Sequence, residues 1–241
     1  MNNSPYKITR PRATIFWSAV AALLLVVGWQ QWLPTSLTEM LGFVTGAATV
    51  WLLTKENIWN WPIGIASSVF YLVLFWHSRL FADSSLQIFY IVTGFIGWYW
   101  WLHGGEKKKE LKVQKTGAKF GLALAMAGAI GTILMDKYLR SVSDSAPFWD
   151  SLTTVGSLVA QLMLTRKLLE NWLVWMSVDV IYVGLYTSRH LYLTTVLYAI
   201  FFGMCIVGWK DWLASMRKFT KRVEKEPKTE VIARPEIGVT L

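Results

Sequence analysis

Apolar residues in this chain neither alternate nor keep to one narrow stripe. They run on for about twenty positions, the length a helix needs to cross a bilayer, break at a charged or Pro-bearing turn, and resume. This pattern predicts helical spans at about 13–33, 37–54, 57–76, 84–102, 120–139, 149–165, 171–187 and 191–212. The stretches 37–54 and 149–165 are short between charges, and an internal repeat supports them. Glu56-Asn57 with Trp61 aligns with Glu170-Asn171 with Trp175, Gly42 aligns with Gly156, and Gly97-Trp98 and Trp101 align with Gly208-Trp209 and Trp212. The separation falls from 114 to 111 along the match, which predicts one short indel between the copies. Each copy holds three spans, so a parallel arrangement requires one helix between them, and 120–139 supplies it. The expected fold is an all-α membrane protein of 3+1+3 transmembrane helices, two parallel three-helix repeats joined by a linker helix, plus an extra N-terminal helix. Parallel repeats of this kind place a substrate at their interface near the midplane.

The expected units are an N-terminal segment 1–36 with the extra helix, repeats at 37–103 and 149–213, a basic loop and linker helix at 104–148, and a disordered basic tail at 214–241. Charge placement orients them. Lys7, Arg10, Arg12, Lys55, Lys107, Lys108, Lys109, Lys112, Lys115, Arg166, Lys167 and the tail from Lys210 fall on one side, against Arg79, Lys137, Arg140 and Arg189 on the other. The excess of Lys and Arg marks the cytoplasmic side, so both termini are expected there. The net charge of +9 is therefore a topology signal, and no nucleic-acid partner is expected.

Composition adds two points. Charged residues make up only 16% of the chain, and fifteen are Trp, which suits membrane interfaces and stacking sites alike. The single cysteine, Cys205, excludes an internal disulfide and a thiolate metal site, and it is read as a small buried hydrophobe. The three histidines stand near span ends, and no zinc motif, nucleophile elbow or phosphate loop is present. An enzyme is not expected, nor is any cofactor or metal.

The candidate chemistry lies at membrane depth. Trp172, Trp175, Asp179, Tyr182 and Tyr186 are spaced three, four, three and four, on one helix face. An ionisable group there is costly and normally faces the protein interior or a wet cavity. The alternatives are a solute site or an aromatic packing seam with Asp179 tied to a neighbouring helix, and Tyr186 alone fits an interface anchor. A second face carries Asp83, Gln87, Tyr90, Gly94 and Trp98. Gln161, Asn57, Asn60, Trp61 and Tyr198 complete the candidates. Their carboxamides suit another carboxamide or sugar hydroxyls, or else interhelical hydrogen bonds. Pro62 either starts its helix or kinks it.

Several stretches resemble the PnuC transporter family. In the first half these are Asn57-Ile58-Trp59-Asn60-Trp61-Pro62-Ile63-Gly64, then Leu80-Phe81-Ala82-Asp83 with Gln87 and Tyr90. In the second they are Ala160-Gln161, Glu170-Asn171-Trp172 with Trp175 and Asp179, and Leu197-Tyr198. Phe81 departs from an expected Tyr and loses a hydroxyl at a span end. The resemblance covers about 37–212. It implies a bacterial inner-membrane facilitator with a SWEET-like fold, a homotrimer in the lipid bilayer, that carries nicotinamide riboside (vitamin B3) without ion coupling. A cytoplasmic riboside kinase would trap the product for NAD biosynthesis. The implied substrate-binding set is Gln87, Tyr90, Trp172, Trp175, Asp179, Tyr182, Asn57, Asn60, Trp61, Gln161 and Tyr198. Relatives that carry thiamine or riboflavin define the alternative, with a membrane-embedded enzyme or scaffold behind it.

Overall fold

The computed structural model describes residues 37–77, 79, 81–143, 146–190 and 192–225. Among them it has seven α-helices: α1 (Leu37–Thr54), α2 (Asn60–His77), α3 (Phe81–His103), α4 (Ala118–Ser141), α5 (Pro147–Thr165), α6 (Asn171–Ser188) and α7 (Tyr192–Lys225), with a 3-10 turn at Glu106–Lys108. The expected span at 13–33 lies outside the described residues.

Local chemistry sets the boundaries. Asn57 Oδ1 accepts the Trp59 amide at 3.0 Å at the entry to α2, and Pro62 falls in its first turn, so the proline starts the helix and does not kink it. Pro147 opens α5 in the same way. Hydroxyls inside the helices bond backwards, as Thr93 does to the Phe89 carbonyl (2.8 Å) and Thr153 to the Trp149 carbonyl (3.0 Å). Such bonds let Thr sit at membrane depth without an orphan donor.

Two helical stretches are plainly apolar: α4, with a mean hydropathy of 1.7 and none of its most apolar stretch buried, and Tyr198–Arg222 of α7, at 1.2. The other helices carry Asn, Ser, Gln, Trp and Tyr, which lower their hydropathy, and Asn60, Ser67, Ser84, Ser151, Asn171, Trp61, Trp101 and Trp172 among these are buried. Outward, Val73, Val92, Phe95, Leu122, Ile130 and Ile133 are exposed. That inversion, apolar outside and polar inside, suits a lipid surround.

Six helices close into a ring. Contacts run α1 to α2, α2 to α3, α3 to α5, α5 to α6, α6 to α7, and α7 back to α1, while α4 packs outside against α5. The same bonds recur around it 111 positions apart. Asn60 Nδ2 donates to the Asn57 carbonyl (2.7 Å) and Asn171 Nδ2 to the Leu168 carbonyl (2.6 Å). Trp101 Nε1 donates to the Leu164 carbonyl (3.1 Å), and Trp212 Nε1 to the Leu53 carbonyl (3.0 Å). Glu56 and Lys167 take the same left-handed turn position, φ 52° and 55°. This corrects the expected indel: Asn60, not Asn57, matches Asn171, and Trp61 matches Trp172. Identity of letters favoured the 114 register, whereas the first-turn hydrogen bonds follow 111.

A second correction concerns the tail. Residues 214–225 continue α7 as helix, because Ala-Ser-Met-Arg-Lys-Phe are tolerant helix formers and no Pro or Gly intervenes before Pro227. Leu213 and Met216 pack on the core there.

The segment 104–117 is also more than a solvated basic loop. It straps the end of the ring. The Leu111 amide donates to the Trp101 carbonyl (3.0 Å), the Gln114 amide to the Lys167 carbonyl (3.2 Å), and the Leu169 amide to the Gln114 carbonyl (2.9 Å). Glu170 Oε2 accepts from the Thr116 amide (2.7 Å) and hydroxyl (2.6 Å).

Candidate substrate site

The sequence-predicted residues fall into two layers. The first, at the strap end, is a row of indoles. Trp61 meets Trp101 with centroids 5.4 Å apart, Trp101 meets Trp212 at 5.7 Å, and Trp212 meets Trp172 at 5.4 Å, all edge to face. Glycine makes the row possible: a Cβ on Gly97 would overlap the Trp61 ring, and one on Gly208 the Trp172 ring. The Nε1 groups of Trp61 and Trp172 are buried and have no acceptor among the described residues. Asn60 is buried beside this layer, and its amide nitrogen, like the Asn57 side-chain oxygen, is already bonded to backbone. Trp175 packs half-buried on the same cluster.

The second layer lies two turns further along α6. Tyr182 and Tyr198 stand 4.5 Å apart, Tyr182 and Tyr186 5.6 Å, and Tyr186 and Tyr198 5.4 Å, between α6 and α7. From α5, Thr153 faces Tyr182 and Ser157 faces Tyr90 of α3. Gln161 Nε2 donates to Thr93 Oγ1 at 3.3 Å, a second α5–α3 tie. Asp179, 4% exposed, accepts from Cys205 Sγ at 3.5 Å. Gln87 is half-buried, one turn before Tyr90 on the same face of α3.

Four ring helices therefore bring Tyr90, Gln161, Asp179, Tyr182 and Tyr198 together. Gln87 sits at the edge of that group, and Trp61, Trp172, Asn57 and Asn60 belong to the strap end. Sequence reasoning placed Tyr186 on the aromatic face but read it as an interface anchor and left it out of the site set, and it missed Thr93, Thr153 and Ser157 as partners. The helical spacing of Tyr186 after Tyr182 carried that signal. A cavity of about 140 Å³ lies elsewhere, between α1 and α7, lined by Trp51, Thr54, Ile200, Gly203, Met204 and Val207. It is below the roughly 300 Å³ of ordinary ligand pockets. No group of three or more metal-ligating side chains gathers among the described residues.

A ring of helices with an apolar exterior and a layer of tyrosines, an amide and a carboxyl inside it has the form of a multi-pass membrane protein. A family model described as nicotinamide mononucleotide transporter matches residues 36–214, and the chain belongs to that family. It is 26% identical over 206 residues to the nicotinamide riboside transporter PnuC of Escherichia coli (strain K12), covering 75% of this chain and 86% of the relative. It is 29% identical over 194 residues to the riboflavin/roseoflavin transporter RibM of Streptomyces davaonensis, covering 77% and 89%. The crystal structure of the vitamin B3 transporter PnuC superposes with a TM-score of 0.70 at 20% identity, covering 88% of this chain and 95% of that one. That likeness fixes the fold, and the family makes the protein a multi-pass bacterial membrane transporter.

Proposed function

We propose that this chain takes nicotinamide riboside across the bacterial inner membrane by facilitated diffusion, with net uptake maintained by a cytoplasmic riboside kinase. Its ring consists of two parallel three-helix repeats, 37–103 and 149–213, joined through 104–148 and preceded by a further helix within 1–36. Both termini and the strap face the cytoplasm, and the assembly is a homotrimer. The charge bias of the loops supports the orientation, and the bonds that recur at 111 residues support the repeats.

The observation that carries the reading is the tyrosine layer with Asp179. A pyridinium riboside is a fixed cation with ribose hydroxyls and a carboxamide. Aromatic faces attract such a cation by about 0.5–2 kcal/mol, Asp179 offers a counter-ion or a hydroxyl acceptor, and Gln161 and Gln87 offer amide partners. The unpaired indole N–H groups of Trp61 and Trp172 offer donors to a solute leaving at the strap end. The same chemistry argues against a mononucleotide, whose phosphate would meet Asp179 and, among the residues named in this layer, no Lys or Arg.

A thermal-shift titration of the purified protein tests this. Nicotinamide riboside should stabilise it more than its mononucleotide, riboflavin or thiamine do. Asp179→Asn should lose the preference for the charged riboside over its uncharged reduced form. A larger shift with riboflavin would move the protein to the flavin branch, and an Asp179→Asn variant that binds both ribosides like the parent would make Asp179 structural.

A further inference from the structure

Glu56 and Lys167 occupy equivalent positions in the two halves, and they pair with each other: Lys167 Nζ lies 2.8 Å from Glu56 Oε2. Positions related by an approximate two-fold touch their own equivalents only on its axis. Trp101 and Trp212, likewise equivalent, meet at 5.7 Å. Two layers therefore close the strap end of the ring along the line a solute must follow.

The two seams between the halves are not closed alike. At the α1–α7 seam Lys55 pairs with Asp211 at 2.5 Å. At the α3–α5 seam the equivalent of Lys55, Arg166, lies over Trp100 at 5.1 Å and Phe120 at 4.6 Å. Among the described residues only the α3–α5 seam is strapped, through the Trp101, Gln114 and Lys167 backbone bonds. The 140 Å³ apolar cavity lies in the other. Lys167 is fully buried, and its remaining partners are on the strapped side: the Leu111 carbonyl (3.1 Å), Glu110 (3.8 Å) and the Trp101 ring (4.4 Å). Glu56, 20% exposed, can pass into water when its side moves away. A break here thus leaves neither charge buried and unpaired, which is the expensive outcome.

We propose that the strap end is a one-sided gate, with the strapped α3–α5 seam as hinge, the α1–α7 seam as the edge that parts, and Glu56–Lys167 as the latch across it. The proposal rests on the transport reading. Cys205, the only cysteine, is buried on α7 where the strap-end indole cluster meets Asp179, and it serves as a native reporter of opening.

The full-length parent, Glu56→Gln, Lys55→Met and Arg166→Met are compared in proteoliposomes. The readouts are modification of Cys205 by a charged, impermeant thiosulfonate added on the strap side, and exchange of nicotinamide riboside. Loss of a latch or of an edge pin should speed Cys205 modification roughly fivefold or more, while Arg166→Met stays within about twofold of the parent. Equal acceleration in Lys55→Met and Arg166→Met would overturn the hinge assignment, and no acceleration in Glu56→Gln would overturn the latch. Riboside exchange by the parent is judged separately: its absence defeats the transport reading, and with it the gate, whatever the labelling pattern.

Discussion

Gly97 and Gly208 each leave room for one indole, and that exchange of a side chain for a ring is repeated in both halves. A methyl group at either position meets the rigid ring, not the end of a flexible chain. Gly208→Ala should therefore destabilise the protein by about 1–3 kcal/mol through overpacking, and Gly97→Ala by a similar amount. Gly184, whose added Cβ meets nothing within 4 Å, is the control. Thermal melts of the three variants in detergent check this, and a Gly208→Ala melt like that of Gly184→Ala would refute the wedge. Asp179 was legible in the sequence because a carboxyl among twenty apolar residues has few reasons to be there. Lys167 was not. It stands two residues past a helix end and reads as a loop charge, and its complete burial depends on a strap more than fifty residues earlier in the chain. Cys205 was read as a small hydrophobe; its burial is as expected, but its contact with Asp179 comes from the packing of α6 on α7, which spacing alone does not give.

Helices were the most legible elements, since runs of about twenty apolar residues between charges leave little choice. The described ends fall within a few residues of those expected, except where α7 continues to Lys225. The strap was opaque for a physical reason. Its order comes from single backbone bonds to α3 and to the α5–α6 turn, and Lys-rich extended chain carries no periodic signature of such bonds. The strongest tie is the Glu170 carboxylate, which holds both the amide and the hydroxyl of Thr116. Hydrogen bonds to a charged group contribute about 1.5–3 kcal/mol each, so Glu170→Gln should loosen the strap without unfolding the ring. Hydrogen exchange should accelerate roughly tenfold or more over 110–117, with α2 and α6 unchanged. Lys112→Ala, which removes an exposed pair with Glu110, should change nothing measurable. Parent-like exchange in Glu170→Gln would show that packing of Val113, and not the carboxylate, orders the strap.

For the whole molecule, the pattern of letters pointed to a repeat and had its register right at the end of the match but off by three residues at the start, because Trp and Asn recur at several offsets and only the hydrogen bonds choose among them. Among the described residues the ring encloses Asp179 at membrane depth, and its contact is a thiol and not an imidazole. The described histidines, His77, His103 and His190, stand at helix ends. A proton-coupled carrier needs a group that loads and unloads between the two sides, and a sodium-coupled one a cluster of oxygen ligands; Asp179 as a fixed counter-ion or hydroxyl acceptor requires neither. Uptake into liposomes should then stop at equal concentrations when the membrane potential is clamped to zero, with or without a proton or sodium gradient. The potential itself must be controlled, because a fixed cation crossing alone follows it. One elementary charge gains about 2.3 kcal/mol per 100 mV, so an inside-negative potential of about 100 mV should concentrate nicotinamide riboside roughly fiftyfold. The uncharged reduced riboside should merely equilibrate under the same potential. Accumulation of either form at zero potential, driven by a proton or sodium gradient, would show that the ring couples ions after all. Equal behaviour of the two forms under the potential would mean that a counter-charge travels with the cation, and Asp179, the carboxyl in contact with Cys205, would then be the group to follow.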